Sequence, residues 1–367
     1  MVKFGNIVRD VKINVDRSNN PYKHYVAGDH MDSEDLTIHR HGDFATDDVG
    51  PAFTRIFRPG QILYGSRRTY LKKIAVADFS GICANTTFVL ESKDETVFLT
   101  RLLPFIMLSE SFTRWSIAHS KGSTNPYVLF SDLADYEFDL PPIDEQRILA
   151  DKLWAAYRLN ESYKKLLTAT QEMVKSQFIE MFNDSPLVRL EDHIETQSGG
   201  TPNTKKSEYY DGGTIPWLSS GEVNQGYISS TEKYITEEGL ENSAAKWVPK
   251  NSVVIAMYGA TAGKVGFITI PLTTNQAVCA LLPNDAFNPL YLYYAVSSQK
   301  NWMIAQCRGA AQPNISQGII RSMEIPMPSL SEQMQFVNII KQADKSEFEL
   351  RKSIEAIDQV IKSLINN

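Results

Sequence analysis

Apolar residues along this chain keep two rhythms. Ile148, Leu149, Leu153, Ala156, Leu159, Tyr163, Leu166, Leu167, Met173, Val174, Phe178 and Phe182 recur mostly at intervals of three, four and seven, with no glycine or proline among them. Phe336, Val337, Ile340, Ala343, Phe348, Leu350, Ile354, Ile357, Ile361 and Leu364 do the same. Such spacing predicts two long amphipathic helices, each following a proline stop. Asp144-Glu145-Gln146 and Ser331-Glu332-Gln333 open them with acidic and capping residues suited to a helix N-terminus. Elsewhere the rhythm is short: "SVVIAMYG", "NTTFVLES" and "QAVCALLP" read as strands, and "NPLYLYYAVSSQKNWMIAQC" as helix. The expected fold class is α/β, with compact domains at 1–141 and 185–329 alternating with spacer helices at 142–184 and 330–367.

The chain also repeats itself. "KGSTNPYVLFSDLADYEFDLPPIDEQ", Lys121 to Gln146, aligns without a gap on "RGAAQPNISQGIIRSMEIPMPSLSEQ", Arg308 to Gln333, at an offset of 187. The alignment pairs Gly122 with Gly309, Pro126 with Pro313, Pro141 with Pro328 and Glu145-Gln146 with Glu332-Gln333. With small gaps upstream, Tyr64-Gly65 answers Tyr258-Gly259, Lys73 answers Lys264 and Asn85 answers Asn275. Two copies of one unit are expected. A helix of about 38 residues, roughly 57 Å long, cannot leave such a stripe in water. Its natural partner is its own repeat, in an antiparallel coiled coil with an internal pseudo-twofold axis. The short linker Asn183 to Leu187 disfavours a parallel pair. The alternative is that each helix docks on its own domain.

Composition narrows the function classes. The 367 residues are 43% hydrophobic and 10% aromatic, enough for real cores in two or three domains. No run of eighteen apolar residues occurs and the first residues lack a signal-peptide pattern, which predicts a soluble, cytoplasmic protein with no membrane contact. Cys83, Cys279 and Cys307 are scattered and form no CxxC pair, which predicts reduced, partly buried thiols. The net charge is −6, an unpromising balance for gripping nucleic acid alone. Residues 1–141 hold 16 basic and 18 acidic groups, and residues 185–329 hold 10 and 12, so basic charge is only local. From Arg55 to Lys73 run Arg55, Arg58, Arg67, Arg68, Lys72 and Lys73, with Tyr64 and Tyr70 interleaved and no acid. That stretch is the best nucleic-acid footprint in the chain, or else a hairpin with solvated arms.

Several motifs suggest chemistry and then fail its requirements. "YGATAGKVG" looks like a phosphate loop, but only three residues separate Gly259 from Gly263, and Val265 stands where a magnesium-binding hydroxyl is needed. "VGFITI" after it reads as a strand instead of a helix. "ESK" at Glu91 to Lys93 lacks the upstream Pro-Asp of a nuclease triad and reads as a strand end. His24, His30, His39 and His41 with Asp29, Asp32 and Asp43 lack the spacing of a metal site, so no metal is expected. "LPPIDEQ" lacks the polar and aromatic residues that flank the prolines of an amino-methyltransferase, and no glycine-rich turn for a methyl donor follows a strand.

Two α/β domains alternating with long helices introduced by "PPIDEQ" and "MPSLSEQ" resemble the specificity subunit of Type I restriction-modification enzymes along the whole chain. The carrying segments include "FRPGQILYGSRRTYLKKIAVADFSGICANTTFVL", "SGGTPNTKKSEYYDGGTIPWLSSGEVNQGYI", "MYGATAGKVGFI" and "TTNQAVCAL". The resemblance implies a non-catalytic subunit whose two target-recognition domains each read half of a split, asymmetric double-stranded DNA sequence. It further implies helices that space the domains and dock two methyltransferase subunits, with restriction and translocase subunits joining. S-adenosylmethionine, ATP and magnesium would then belong to the partners, and this chain would carry no cofactor. Candidate DNA contacts are Arg67, Arg68, Tyr70 and Lys73 in the first domain. In the second they are Ser219, Ser220, Thr261, Lys264, Asn275, Gln276, Arg308, Gln312 and Asn314. Lys264 is read as reaching a DNA phosphate, while each of these residues could instead serve only a turn or a cap. The rival classes are a nucleotide-hydrolysing or DNA-cleaving enzyme and a coiled-coil scaffold for proteins.

Overall fold

The computed structural model describes residues 1–16, 19–307 and 314–366, without the side chains of 224 and 225. By compactness the chain divides into Met1–Lys165 with Arg351–Asn367, and Leu166–Leu350. Both apolar stripes form continuous helices, Ile143–Phe182 and Leu330–Asn366. They pair antiparallel: Asn160 donates to Asp358 (2.6 Å) and Gln171 to Glu347 (3.1 Å), so partners fall on one helix as numbers climb on the other.

The helices also dock on the folded domains, so the two expectations about their partners hold together. In the first unit Ala150 and Leu153 enter a core with Phe4, Phe105 and Phe112, and Ile361 and Leu364 of the second helix pack against it. In the second unit Val174, Phe178 and Phe182 share a core with Phe336, Val337 and Ile340 and with Tyr291 of the domain. Leu159, Leu166, Met173 and Phe348, counted in the same stripes, stay exposed. The stripe is wider than one partner covers, because three-, four- and seven-residue steps together wrap more than one face.

The paired glutamines explain the "EQ" repeat. Gln146 is wholly buried, its Oε1 accepting from Leu99 N (3.1 Å) and its Nε2 donating to the Val97 and Pro141 carbonyls (2.9 Å each). Gln333 is wholly buried too, accepting from Asn288 N (2.7 Å) and donating to the Ala286 and Pro328 carbonyls (3.1 Å each). Each buried amide bonds three backbone groups of the loops around it, and so fixes a helix start to its domain.

The two units share a sheet plan. In the first, a sheet orders Val8–Asp10, Thr87–Ser92, Ile62–Gly65 and Ile74–Val76, all antiparallel. In the second, Thr196–Ser198, Val278–Leu281, Val253–Ala256 and Val265–Ile268 repeat that order, and Tyr227–Ile228 adds a parallel edge. A second sheet carries one parallel pair in each unit, His24–Val26 with Gly81–Ala84 and Ile215–Leu218 with Leu272–Thr274. Side chains from both sheets share one core in each unit, Val26, Phe57, Leu63 and Val89 in the first and Leu218, Val254, Leu272 and Val278 in the second, and the valines among them suit a pleated surface.

Strand register corrects the upstream alignment. Ile62 faces Leu90 as Val253 faces Leu281, a displacement of 191 that holds through the hairpin. Lys73 therefore does answer Lys264, but Tyr64 answers Ile255 and Asn85 answers Gln276. The matched Tyr-Gly letters mislead: Tyr64 is a buried strand residue, whereas Tyr258 sits exposed in a turn.

Candidate nucleic-acid interface

Each hairpin closes through an eight-residue turn, Ser66 to Lys73 in the first unit and Met257 to Lys264 in the second. Both turns contain one turn of 3-10 helix, Thr69–Leu71 and Gly259–Thr261. Both need left-handed backbone at the same two places: Arg68 (φ 50°) and Lys72 (φ 47°) correspond to Gly259 and Gly263 (φ 78° each). Glycine adopts that conformation freely, whereas an L side chain pays roughly 1–2 kcal/mol. The glycine spacing that imitates a phosphate loop is thus a turn requirement. The segment after it, Val265–Ile268, is a strand paired with Val253–Ala256, which leaves no helix N-terminus for a nucleotide.

Matching hydrogen bonds hold the turns. Ser66 N donates to the Thr86 carbonyl (3.2 Å) and Val128 N to the Ser66 carbonyl (2.9 Å); Met257 N donates to Ala277 (2.8 Å) and Ile315 N to Met257 (2.9 Å). Arg67 bridges Tyr127 and Tyr258 bridges Asn314 in strand-like pairs. Three chain segments therefore meet at one edge in each unit. In the second, Asn275 N donates to Leu218 O (3.0 Å), which brings in Ser219 and Ser220, and the 3-10 turn Ser220–Gln225 packs on Gly259–Thr261. The structure brings together Ser219, Ser220, Thr261, Lys264, Asn275, Gln276 and Asn314. Arg308 and Gln312 lie outside the described residues.

Side chains at this edge differ in availability. Arg67, Arg68 and Tyr70 are exposed, and neither guanidinium has a hydrogen bond or ion pair among the described residues. The Lys73 ammonium donates to the Gly28 carbonyl, which ties the turn to the loop after His24–Val26. Ser219 caps its 3-10 turn through Glu222 (2.8 Å), and Asn275 Oδ1 accepts from Ala277 N (3.0 Å), so both have a turn-building job. Gln276 is exposed and accepts from Thr201. Lys264, Lys300 and Cys307 line an open cleft of about 380 Å³ beside Gly259 and Gly263.

The basic run is not one patch. Arg55 is buried, bonding Asp10 (2.9 Å) and the Thr87 carbonyl (3.0 Å), and Lys72 pairs with Glu34 (2.7 Å). Burial raises the Asp10 pKa even though Arg55 opposes the shift. Arg58 sits at the far end of the strand from the turn, beside Arg9 and Glu91. The sequence reading missed Tyr127 and Tyr258, both exposed. The 187-residue repeat carried a signal for Tyr127, since it stands opposite Asn314.

Outside this edge, Asp35, His39 and Glu161 bring ligand atoms within 4.8 Å of one another. Hydrogen bonds already occupy the group: Tyr157 donates to Asp35 (2.6 Å), Thr37 N donates to it (2.9 Å), and His39 lies 2.9 Å from its other oxygen. Burial pushes the Asp35 carboxyl upward, but these donors outweigh it and the pKa falls below the ordinary 3.8. Its stabilisation is therefore complete above 3.8 and is lost as pH drops through the lower folded value. Asp35→Asn is expected to remove that part of the acid limb in a pH series of denaturation midpoints; an unchanged limb would contradict the network. Burial raises the thiols of Cys83 and Cys279 to about 12, which leaves them unreactive at neutral pH.

Comparison with known proteins agrees with this duplicated architecture. The family described as Type I restriction modification DNA specificity domain matches residues 30–170 and 184–359. The Type I restriction enzyme EcoR124I/EcoR124II specificity subunit of Escherichia coli is 30% identical over 192 residues, 48% of this chain and 47% of that protein. The MjaIX specificity subunit of Methanocaldococcus jannaschii is 28% identical, over 50% of this chain and 43% of that one. The chain thus spans about half the length of the curated relatives it matches. The S subunit of a Type I restriction-modification system from M. genitalium shares the fold, with a TM-score of 0.61 over 99% of this chain and 94% of that one at 14% identity.

Proposed function

Since the chain belongs to the Type I restriction-modification DNA specificity family, we propose that it is a non-catalytic DNA-reading subunit with one target-recognition domain in each repeat. The observation that carries this reading is the duplicated turn. One backbone scaffold presents Arg67, Arg68 and Tyr70 in one copy and Tyr258, Gly259 and Thr261 in the other, so the two copies offer different chemistry at the same place. Guanidinium groups suit guanine edges and phosphates, while the amides and hydroxyls of Asn275, Gln276, Asn314 and Thr261 suit adenine or backbone contacts. Two unlike half-sites make an interrupted, asymmetric target.

The helices supply the spacing between half-sites, as fixed protein geometry does for other bipartite readers. Their exposed apolar residues, Leu159, Leu166, Met173 and Phe348 among them, offer surface for two methyltransferase subunits, with restriction and translocase subunits joining the assembly. Those partners bring S-adenosylmethionine, ATP and magnesium. They also bring basic charge, which a chain of net charge −6 needs in order to hold DNA. Co-expression tests the reading: the chain should co-purify with its methyltransferase, and methylation should require both. Nucleotide turnover or DNA cleavage by the purified chain alone would favour the enzyme alternative.

A further inference from the structure

Among the described residues four non-glycine positions have left-handed backbone, and three of them gather at one place: Glu34 (φ 58°), Arg68 and Lys72. The fourth, Asn251, is of a residue type several-fold enriched in this region. Glu34 and Lys72 also hold each other. Glu34 N donates to the Lys72 carbonyl (3.1 Å), Lys72 Nζ reaches Glu34 Oε1 at 2.7 Å, and the neighbouring Ser33 and Lys73 form an antiparallel bridge. In the second unit the place of Lys72 is taken by Gly263, which needs no such support. Unfavoured backbone persists only where its surroundings over-determine it, and it concentrates at functional sites.

We propose that the Glu34–Lys72 pair is a positioning device, which does in the first unit what Gly263 does in the second: it holds the turn in the shape that presents Arg67 and Arg68. Lys72 is then a positioning residue and makes no DNA contact. The segment bearing Glu34 is itself fixed, since Leu36 N donates to Tyr157 Oη (3.0 Å) on the first long helix and Tyr157 donates to Asp35. The arginine turn is thereby braced from the helix through residues 34–36. This inference rests on the reading of the turn as a DNA-contacting edge.

The test is a cycle of Glu34→Gln, Lys72→Gly and the double variant, each as full chain assembled with its methyltransferase. Affinity for the mapped methylation target is measured against salt, and amide exchange is measured on the chain. Glu34→Gln is expected to weaken specific binding roughly five- to tenfold, the scale of ordering one or two side chains. It should also speed exchange at the Leu71 and Lys72 amides about tenfold. Lys72→Gly should bind within about twofold of wild type, and adding Glu34→Gln to it should change nothing further. The salt slope should be constant throughout. A fall of about 0.9 in that slope on Lys72→Gly would make Lys72 a phosphate contact and overturn the proposal. Unchanged amide exchange in Glu34→Gln would overturn it as well, whatever the DNA result. If Arg67→Ala and Arg68→Ala also leave binding intact while exchange responds as expected, the DNA reading of the turn fails and the brace stands.

Discussion

Replacing Arg67 and Arg68 together with alanine is expected to abolish site-specific DNA binding and methylation by the assembled complex, without unfolding the chain. A bidentate guanidinium contact discriminates its base by about 1–3 kcal/mol, so two of them are worth about 2–6 kcal/mol, or thirtyfold and upward. Both side chains are exposed, so their loss opens no cavity and strands no buried partner. Arg68→Gly sharpens the test. Glycine relieves the left-handed strain, so this variant should be more stable than Arg68→Ala by about 1 kcal/mol while binding the target equally poorly. Native affinity in the double alanine variant, measured by titration against the mapped target, would remove these residues from the interface.

The second large effect concerns the fold. Gln146→Leu or Gln333→Leu keeps the volume but strands three backbone groups around a wholly buried site. At about 1–3 kcal/mol for each unsatisfied group, either change should cost about 3 kcal/mol or more. For units of this size the melting temperature should fall by roughly 6–12 °C. The two substitutions should act on separate units and so be close to additive. A shift of less than about 2 °C in thermal denaturation would show that the amides are not staples.

Much of this architecture was legible in the sequence. The long stripes, the gapless repeat ending in Glu-Gln and the shortfall of one residue in "GATAGKV" each translated into an observed element. Register was harder to read. Tyr64-Gly65 resembles Tyr258-Gly259 by letter, but strand pairing sets Tyr64 against Ile255, because a strand's place in a sheet depends on partners remote in sequence. The basic run was misleading for a related reason. Strand Phe53–Phe57 turns Arg55 inward onto Asp10, and the hairpin length separates Arg58 from Arg67, so six cations close in sequence do not form one surface. Left-handed arginine and lysine carry no local signal, since most such positions belong to glycine. Only the second copy, with Gly259 and Gly263, shows what the first must adopt.

Two unlike copies of one scaffold should read two unlike DNA half-sites. Long-read methylation mapping of cells expressing this chain with its methyltransferase tests that most directly. Adenine methylation is expected at a bipartite motif with two different specified parts and a fixed unspecified gap. A continuous or palindromic motif, or none that depends on this chain, would contradict it.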